Sequence, residues 1–160
     1  MESTLKKTAI LMICMGNICR SPTAEGVLRR LAGQSGMLER LTIDSAGTHD
    51  YHVGSGPDDR AQEAARRRGY DLSELRARQV SSQDFERFDY ILAMDRENLA
   101  SLKRQCSPEH QHKLRLYLSF SARFSEQEVP DPYYGGRQCF DLVLDMVEDA
   151  AQGLLDEIRG

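Results

Sequence analysis

A short apolar segment that runs directly into a turn and a helix start limits what this chain can fold into more than any other feature. Residues 8–14, Thr-Ala-Ile-Leu-Met-Ile-Cys, carry no charge, as expected for a strand covered on both faces in a parallel sheet. Gly16 and Asn17 are turn formers, Ser21 is a favourable N-cap and Pro22 suits the first helical position. The sequence therefore predicts a strand from Thr8 to Cys14, a tight loop, and a helix that begins after Ser21.

The rest of the chain repeats this alternation of strand and helix patterns. Apolar segments of strand length predict further strands at residues 41–46, 88–94 and 113–118. Helical spacing and capping residues predict a first helix ending near Gly33 and later helices at residues 58–68, 95–106 and 140–158. Ser81 and Asp84 fit a capping box at a short helical turn. With 160 residues, we expect one α/β domain over residues 1–160, a parallel sheet with helices on both faces.

Composition and charge narrow the class of protein. The apolar run at residues 9–14 is much shorter than the roughly 20 residues that cross a bilayer, and no cleavage site follows it, so we expect a cytoplasmic protein without membrane contact. The net charge of -4 disfavours nucleic acid as a partner. The arginines at positions 66, 67, 68, 76 and 78 are interpreted as a solvated helix face and turn, with a docking surface for acidic partners as the alternative.

The cysteines and histidines do not show the spacing of metal ligands. The four cysteines, Cys14, Cys19, Cys106 and Cys139, include no C-x-x-C pair, and the histidines do not have the helical spacing of a common metal site. We therefore predict reduced thiols, no metal and no cofactor.

Residues 14–21, Cys-Met-Gly-Asn-Ile-Cys-Arg-Ser, place a cysteine six positions before an arginine at a predicted helix start. This pattern is the one that indicates a reactive site, and we call these residues the phosphate loop. A loop that winds from strand to helix can turn its N–H groups inward and form a nest for an oxyanion. Arg20 can donate a bidentate fork to two phosphoryl oxygens. The same positive environment favours the thiolate of Cys14, which is the nucleophilic form. Ser21 can donate its hydroxyl to that sulfur when the sulfur leaves phosphorus.

This loop, in the form C-x4-C-R-S, resembles the signature of the low-molecular-weight protein tyrosine phosphatase family. The resemblance covers nearly the whole chain, since further matches lie at Ser45–Thr48, Ala77–Val80, Asp89–Asp95 and Asp131–Gly135. It implies a four-stranded parallel sheet in the order 2-1-3-4, with the active site in the loop after the first strand. It also implies hydrolysis of phosphotyrosine through a phosphocysteine on Cys14.

The resemblance assigns the general acid as well. Asp131 lies between Pro130 and Pro132, which stiffen its loop; from its residue type alone it is a turn former. In the family the matching aspartate protonates the leaving phenol and then activates water. Tyr133 and Tyr134 would form one aromatic wall beside the substrate ring, and Tyr51 the opposite wall.

The remaining predicted site residues line the loop or support it. The phosphate-binding and substrate-binding set comprises Met15, Gly16, Asn17, Ile18, Cys19, Ser21, Tyr51, Tyr133 and Tyr134. Loop support is assigned to Asn17, Ser45 and Asp95. In the family a cysteine at the position of Cys19 forms a reversible disulfide with the nucleophile, although a small apolar filler is the alternative. Leu75 stands where animal members often carry a histidine that supports the asparagine.

Two other functions share part of this pattern. A thiol-dependent arsenate reductase has the same fold and C-x5-R loop but needs a further cysteine pair, and here Cys106 and Cys139 are widely separated in sequence. A module that binds phosphotyrosine without cleaving it would not need Asp131. We therefore expect a phosphotyrosine-containing protein or kinase as the partner, and a monomer or weak dimer as the oligomeric state.

Overall fold

A computed structural model describes residues 7–160 of the chain. Four parallel strands form one sheet: β1 (Thr8–Cys14), β2 (Leu41–Gly47), β3 (Tyr90–Ala93) and β4 (Leu114–Leu116). Their order is β2-β1-β3-β4, which confirms the order implied by the family resemblance. Cys14 pairs with Gly47 at the carboxyl end of β1, so the loop after β1 and the loop after β2 meet at one edge of the sheet.

Within residues 7–160, five α-helices cover the two faces of this sheet. They are α1 (Arg20–Gln34), α2 (Asp59–Arg67), α3 (Ser82–Arg87), α4 (Arg96–Gln105) and α5 (Arg137–Arg159). Alternate residues of β1 belong to two different cores, because successive strand side chains point to opposite faces. Ile10 and Met12 pack in the core that includes α1 and α5, while Leu11 and Ile13 pack in the core that includes Phe85 of α3 and Leu102 of α4. The predicted helices on both faces are confirmed.

Several predicted boundaries are wrong in an informative way. Helix α1 begins at Arg20 with Cys19 as its N-cap, so Ser21 lies inside the first turn instead of capping it; its hydroxyl is engaged by the phosphate loop. The helix also continues through Gly33 to Gln34. The fourth strand ends at Leu116 because Tyr117–Phe120 turns into a 3₁₀ helix that buries Tyr117 completely.

The predicted capping box is confirmed, and a second side-chain cap is present at the start of α2. The carboxylate of Asp58 accepts a hydrogen bond from Arg60 N at 2.8 Å at the start of α2. Asp84 accepts from Ser81 N at 2.8 Å and completes the predicted capping box of α3. Both caps satisfy amides that the first turn of a helix leaves free.

The arginine-rich stretch divides into exposed and engaged side chains. Arg66 and Arg76 are exposed, as the interpretation of a solvated face requires. Arg68 instead pairs with Glu148 at 2.9 Å and Asp145 at 3.0 Å on α5. Arg78 pairs with Asp84 at 3.0 Å and with Asp44 at 3.1 Å. These two arginines therefore connect separate elements of the fold.

Among the described residues, no helix is long and apolar enough to cross a membrane.

Candidate active site

The phosphate loop is held in a conformation that few residues adopt. Asn17 has φ 58°, and within residues 7–160 it is the one residue other than glycine with a positive φ. The loop also lies directly against β2, since a Cβ on Gly47 would stand 2.7 Å from Met15 O and 3.2 Å from Asn17 N. A glycine at position 47 is therefore needed for the loop to approach the neighbouring strand.

The side chain of Asn17 holds that conformation through three hydrogen bonds. Its Nδ2 donates to Ser21 Oγ at 2.8 Å and to Ser45 Oγ at 3.0 Å, and its Oδ1 accepts from Arg78 N at 3.1 Å. Strained backbone persists only where the surroundings hold it in place. Side chains and backbone from α1, β2 and the segment before α3 supply that restraint here, and Leu75 contributes none of these hydrogen bonds.

A buried carboxylate extends this hydrogen-bond chain away from the loop. Ser45 Oγ donates to Glu25 Oε1 at 2.7 Å, and Arg29 donates to Glu25 Oε2 at 2.9 Å. Burial raises the pKa of Glu25, while the hydrogen bonds from Ser45 and Arg29 oppose that rise. The chain of contacts thus fixes the hydroxyl of Ser45, which in turn receives Asn17.

Cys14 presents its sulfur to the interior of the loop. The residue is 3% exposed, its Sγ lies 3.0 Å from Ser21 Oγ, and Asn17 N donates to it at 3.3 Å. Because Ser21 Oγ accepts from Asn17 Nδ2, its single hydrogen is free to point at the sulfur. Both donors stabilise a thiolate.

Cys19 has a different environment in the same loop. Burial raises its pKa, and the negative charges of Asp58, Cys14 and Asp131 raise it further. Cys19 is therefore a neutral thiol, and both cysteines are free in this structure. The two sulfurs of the loop are chemically distinct, one facing donors and one facing carboxylates.

Arg20 is a buried cation that joins the loop to two other segments. Its Nη1 donates to Asp95 Oδ2 at 2.6 Å and to Val129 O at 3.0 Å, and its Nη2 lies 3.8 Å from Asp131 Oδ2. Burial lowers its pKa, but Cys14 and the hydrogen bond with Asp95 outweigh that effect and the pKa is raised. The guanidinium is thus charged and oriented.

Asp131 lies on a loop, residues 130–135, that we call the acid loop. Its Oδ1 accepts from Tyr133 N at 3.1 Å, and its side chain is 39% exposed. Val129 N donates to Met94 O at 2.8 Å just before the loop, so the loop is anchored to the end of β3. The Arg60 guanidinium lies 5.4 Å from the ring centre of Tyr133 and supports the loop from α2.

These groups meet in one cleft with a volume of about 360 Å³. Seven of the predicted binding residues line it together with Cys14, Arg20 and Asp131: Met15, Gly16, Ile18, Cys19, Tyr51, Tyr133 and Tyr134. Tyr51 is 69% exposed and Tyr134 is 95% exposed, so the aromatic walls stand at the rim. Asn17 and Ser21, predicted in the same set, are not among the lining residues; their side chains bond each other, and Asn17 also bonds Ser45 and Arg78 N.

A protein-family model described as low molecular weight phosphotyrosine protein phosphatase matches residues 9–160. The chain belongs to this family. The low molecular weight protein-tyrosine-phosphatase YfkJ of Bacillus subtilis is 38% identical over 151 residues, which are 94% of this chain and 96% of that protein. The human low molecular weight phosphotyrosine protein phosphatase is 37% identical over 150 residues, 93% of this chain and 94% of that protein.

Solved structures of low molecular weight phosphatases agree with the fold. A protein tyrosine phosphatase from Entamoeba histolytica, crystallised with Hepes in the active site, has a TM-score of 0.93 and 38% identity, and the match covers 96% of this chain and 97% of that chain. YfkJ of Bacillus subtilis has a TM-score of 0.90 and 37% identity, over 96% of each chain.

Within this phosphatase fold, three features were not predicted from sequence. Glu25 is a charged residue between the apolar Ala24 and Val27, and that irregularity was the available signal. His52 lines the cleft and lies close to Gly16, since a Cβ on Gly16 would stand 2.9 Å from His52 Cδ2. Nothing in the sequence around His52 indicated this position. Gly47 follows a predicted strand, a position where a glycine often marks a close backbone approach.

In the described part of the chain, no group of three or more His, Cys, Asp or Glu side chains could hold a metal ion.

Proposed function

We propose that this protein hydrolyses phosphotyrosine in protein substrates, with Cys14 as nucleophile, Arg20 and the loop amides as phosphate ligands, and Asp131 as general acid. One observation carries the proposal: a thiol between two donors, a buried guanidinium and a partly exposed carboxyl group face one cleft with aromatic walls. These three groups have the complementary roles that transfer of a phosphoryl group requires.

In the first step, the phosphate dianion enters the loop and Arg20 donates to two of its oxygens. The Cys14 thiolate forms a bond to phosphorus while the bond from phosphorus to the phenolic oxygen breaks. Asp131 gives its proton to that oxygen, and neutral phenol leaves. Because Arg20 lies 3.8 Å from Asp131 in this structure, a bound phosphate would compete with the Asp131 carboxyl group for the guanidinium.

In the second step, Asp131 is a carboxylate and accepts a proton from water as the water oxygen attacks phosphorus. The bond between sulfur and phosphorus breaks, and inorganic phosphate and the Cys14 thiolate result. The Ser21 hydroxyl, 3.0 Å from the sulfur, donates to the thiolate as it leaves and lowers the cost of its release.

Substrate choice follows from the depth of the sulfur relative to the rim. Cys14 is 3% exposed, whereas Tyr51 and Tyr134 are largely exposed. A phosphotyrosine side chain is long enough to place its phosphate at the buried sulfur while its ring stacks between the aromatic walls. The shorter side chain of phosphoserine would leave its backbone among the walls before its phosphate reached the sulfur.

Cys19 is proposed as the partner of Cys14 in a reversible disulfide. An oxidant such as peroxide would convert the Cys14 thiolate to a sulfenic acid, and the Cys19 sulfur would displace water from it to form the bond. The neutral thiol of Cys19 avoids competing with Cys14 as nucleophile. The expectations of a cytoplasmic protein and of a monomer or weak dimer stay predictions.

The alternative of arsenate reduction has less support. Cys106 and Cys139, the further cysteines that such a mechanism would need, are not among the residues that line the cleft. Cys106 instead packs in the core on the other side of the sheet with Leu102 and Leu114.

Turnover of p-nitrophenyl phosphate and of a phosphotyrosine peptide tests the proposal. We expect Cys14→Ser to abolish turnover, and Asp131→Ala to reduce kcat by orders of magnitude, more for a poor leaving group such as phenol than for p-nitrophenol. Cys106→Ser is the matched control because it also exchanges a buried sulfur for oxygen, far from the cleft. Full activity of the Cys14→Ser variant would refute the covalent mechanism.

A further inference from the structure

A second cleft, of about 170 Å³, lies beside the active site and is lined by three arginines. Arg60 and Arg67 come from α2 and Arg137 from the start of α5, while Glu63 of α2 contributes one carboxylate and Phe140 an apolar wall. We call it the arginine cleft. The guanidinium of Arg60 lies 4.9 Å from the ring centre of Phe140 and 5.4 Å from that of Tyr133. Since Tyr133 also lines the active-site cleft, the two clefts are neighbours on one surface.

The charges in the arginine cleft are only partly compensated. Arg60 pairs with Asp58 at 3.0 Å. Arg67 pairs with Glu63 at 3.3 Å and with Asp141 at 3.6 Å, both weak contacts.

Arg137 differs from these two arginines. Within residues 7–160 no carboxylate lies within 4.0 Å of its guanidinium, and the first turn of α5 carries no acidic side chain. A guanidinium has five N–H donors, so Arg137 and the unused donors of its two neighbours leave the cleft able to accept an anionic group.

The location of this positive charge is unexpected for the protein as a whole. The chain has a net charge of -4, so its average field repels an acidic ligand. The arginine cleft is lined by three arginines and one carboxylate, Glu63, so it places a local excess of positive charge next to the acid loop. An exposed arginine elsewhere, such as Arg66, has no comparable place beside the active site.

We propose that the arginine cleft is a substrate subsite that binds the carboxylate of an aspartate or glutamate near the phosphotyrosine. The inference rests on the proposed function, since it concerns the chain that carries the phosphotyrosine. An extended peptide rises about 3.3 Å per residue, so a side chain two to four positions from the phosphotyrosine reaches roughly 7 to 13 Å along the surface. Tyr133 lines the active-site cleft and its ring centre lies 5.4 Å from the guanidinium of Arg60 in the arginine cleft, so a side chain at that separation can reach the arginines.

The size of the effect is modest because the cleft is open to solvent. An exposed ion pair changes affinity by a factor of roughly two to five, and salt weakens it. We expect the phosphatase to hydrolyse peptides with glutamate two to four positions from the phosphotyrosine a few times more efficiently than peptides with glutamine there. The preference should shrink at high ionic strength.

A charge reversal tests this subsite. The kcat/KM values of the wild type, Arg137→Glu and Arg66→Glu are compared on three sets of phosphotyrosine peptides at low and at about 0.5 M salt. The sets carry glutamate, glutamine or lysine two to four positions from the phosphotyrosine, on either side. Arg66 is the matched control, since it is exposed on α2 and lines neither cleft. The measured quantity is the ratio of kcat/KM for each charged peptide to that for the glutamine peptide.

We expect the wild type and Arg66→Glu to favour glutamate peptides, and Arg137→Glu to favour lysine peptides instead. No glutamate preference in the wild type, an unchanged ratio in Arg137→Glu, or an equal shift in Arg66→Glu would overturn the subsite. Arg137→Gln, which only removes the charge, should bring the ratio to about one and serves if the reversal disturbs folding. Cys14-dependent turnover of p-nitrophenyl phosphate by the wild type tests the proposed function separately. If the wild type does not turn this substrate over, the proposed function is wrong. If it does but shows no preference for charged peptides, only the subsite is wrong.

Discussion

The guanidinium of Arg20 donates a hydrogen bond to the carboxylate of Asp95 at 2.6 Å, across 75 positions of sequence. The other oxygen of Asp95 accepts from Asn98 N at 2.7 Å and caps α4. One carboxylate thus orients the guanidinium of Arg20 and caps α4, so the position of Arg20 depends on where α4 starts.

Replacing Asp95 separates these two roles. Asparagine caps a helix about as well as aspartate, so Asp95→Asn should keep α4 but remove the charge that holds Arg20. We expect kcat/KM for an aryl phosphate to fall about 10- to 100-fold and the free energy of unfolding to fall by about 1–3 kcal/mol. Asp95→Ala should lose about 1 kcal/mol more through the missing cap. Steady-state kinetics and urea unfolding measure both; equal stability of the two variants would contradict the capping role.

The positive φ of Asn17 allows strain and hydrogen bonding to be distinguished. Asn17→Gly loses the three side-chain hydrogen bonds but can still adopt a positive φ. Asn17→Ala loses the hydrogen bonds and also disfavours a positive φ. We expect both variants to lose most of their kcat, and Asn17→Ala to be less stable than Asn17→Gly by about 1 kcal/mol. Thermal or urea unfolding compares them. If alanine were as stable as glycine, the backbone at this position would not be strained.

The contact between the phosphate loop and β2 predicts a severe effect of one methyl group. A Cβ on Gly47 would meet the backbone atoms Met15 O and Asn17 N, so Gly47→Ala must displace the loop. We expect the free energy of unfolding to fall by about 1–3 kcal/mol. We expect kcat/KM to fall by more than the loss of folded protein alone explains. Gly153→Ala is the matched control, because its Cβ would meet the backbone of Phe120, away from the cleft. It should cost stability without the same loss of activity per folded molecule.

Cys19 should make stability depend on pH in the alkaline range. Burial raises its pKa above the ordinary value of 9.0, so between that value and the folded value the native state holds a proton that the unfolded state has released. This contribution is therefore complete below about pH 9 and is lost as the pH rises, by at most about 1.4 kcal/mol per pH unit. We expect the free energy of unfolding to fall less steeply between pH 8.5 and 10 in Cys19→Ala than in the wild type, as measured by urea unfolding at a series of pH values. Parallel curves for the two proteins would exclude a shifted Cys19.

Arg60 should influence catalysis through the acid loop. Its guanidinium stacks on Tyr133 and pairs with Asp58, so Arg60→Gln should loosen the loop that carries Asp131. We expect kcat to fall a few-fold for phenyl phosphate and less for p-nitrophenyl phosphate, since the better leaving group depends less on the acid. Arg66→Gln, on the same helix and remote from the loop, should show no such difference. An equal fall for both substrates would place the effect outside proton transfer.

The sequence was informative where a local pattern has one physical meaning. The charge-free run of β1 and the alternation of elements predicted the fold class, and Ser81 and Asp84 predicted the capping box of α3, because each depends on near neighbours in the chain. The helix was predicted to start after Ser21, and not at Arg20 where it begins, because serine is a favourable N-cap residue. Only the folded structure shows that the Ser21 hydroxyl contacts Asn17 and Cys14 instead.

The amino-acid sequence by itself determined a parallel α/β sheet, a phosphate loop at the end of its first strand and the residue types from which a phosphatase site is made. Tertiary structure decided which partners those residues meet: Arg20 with Asp95, Asn17 with Ser45, Gly47 with the loop backbone, and three arginines in a cleft beside Tyr133. The physical reason is that helix and strand patterns follow from interactions a few residues apart. Contacts between residues 28 or 75 positions apart exist only after the strands have been placed side by side.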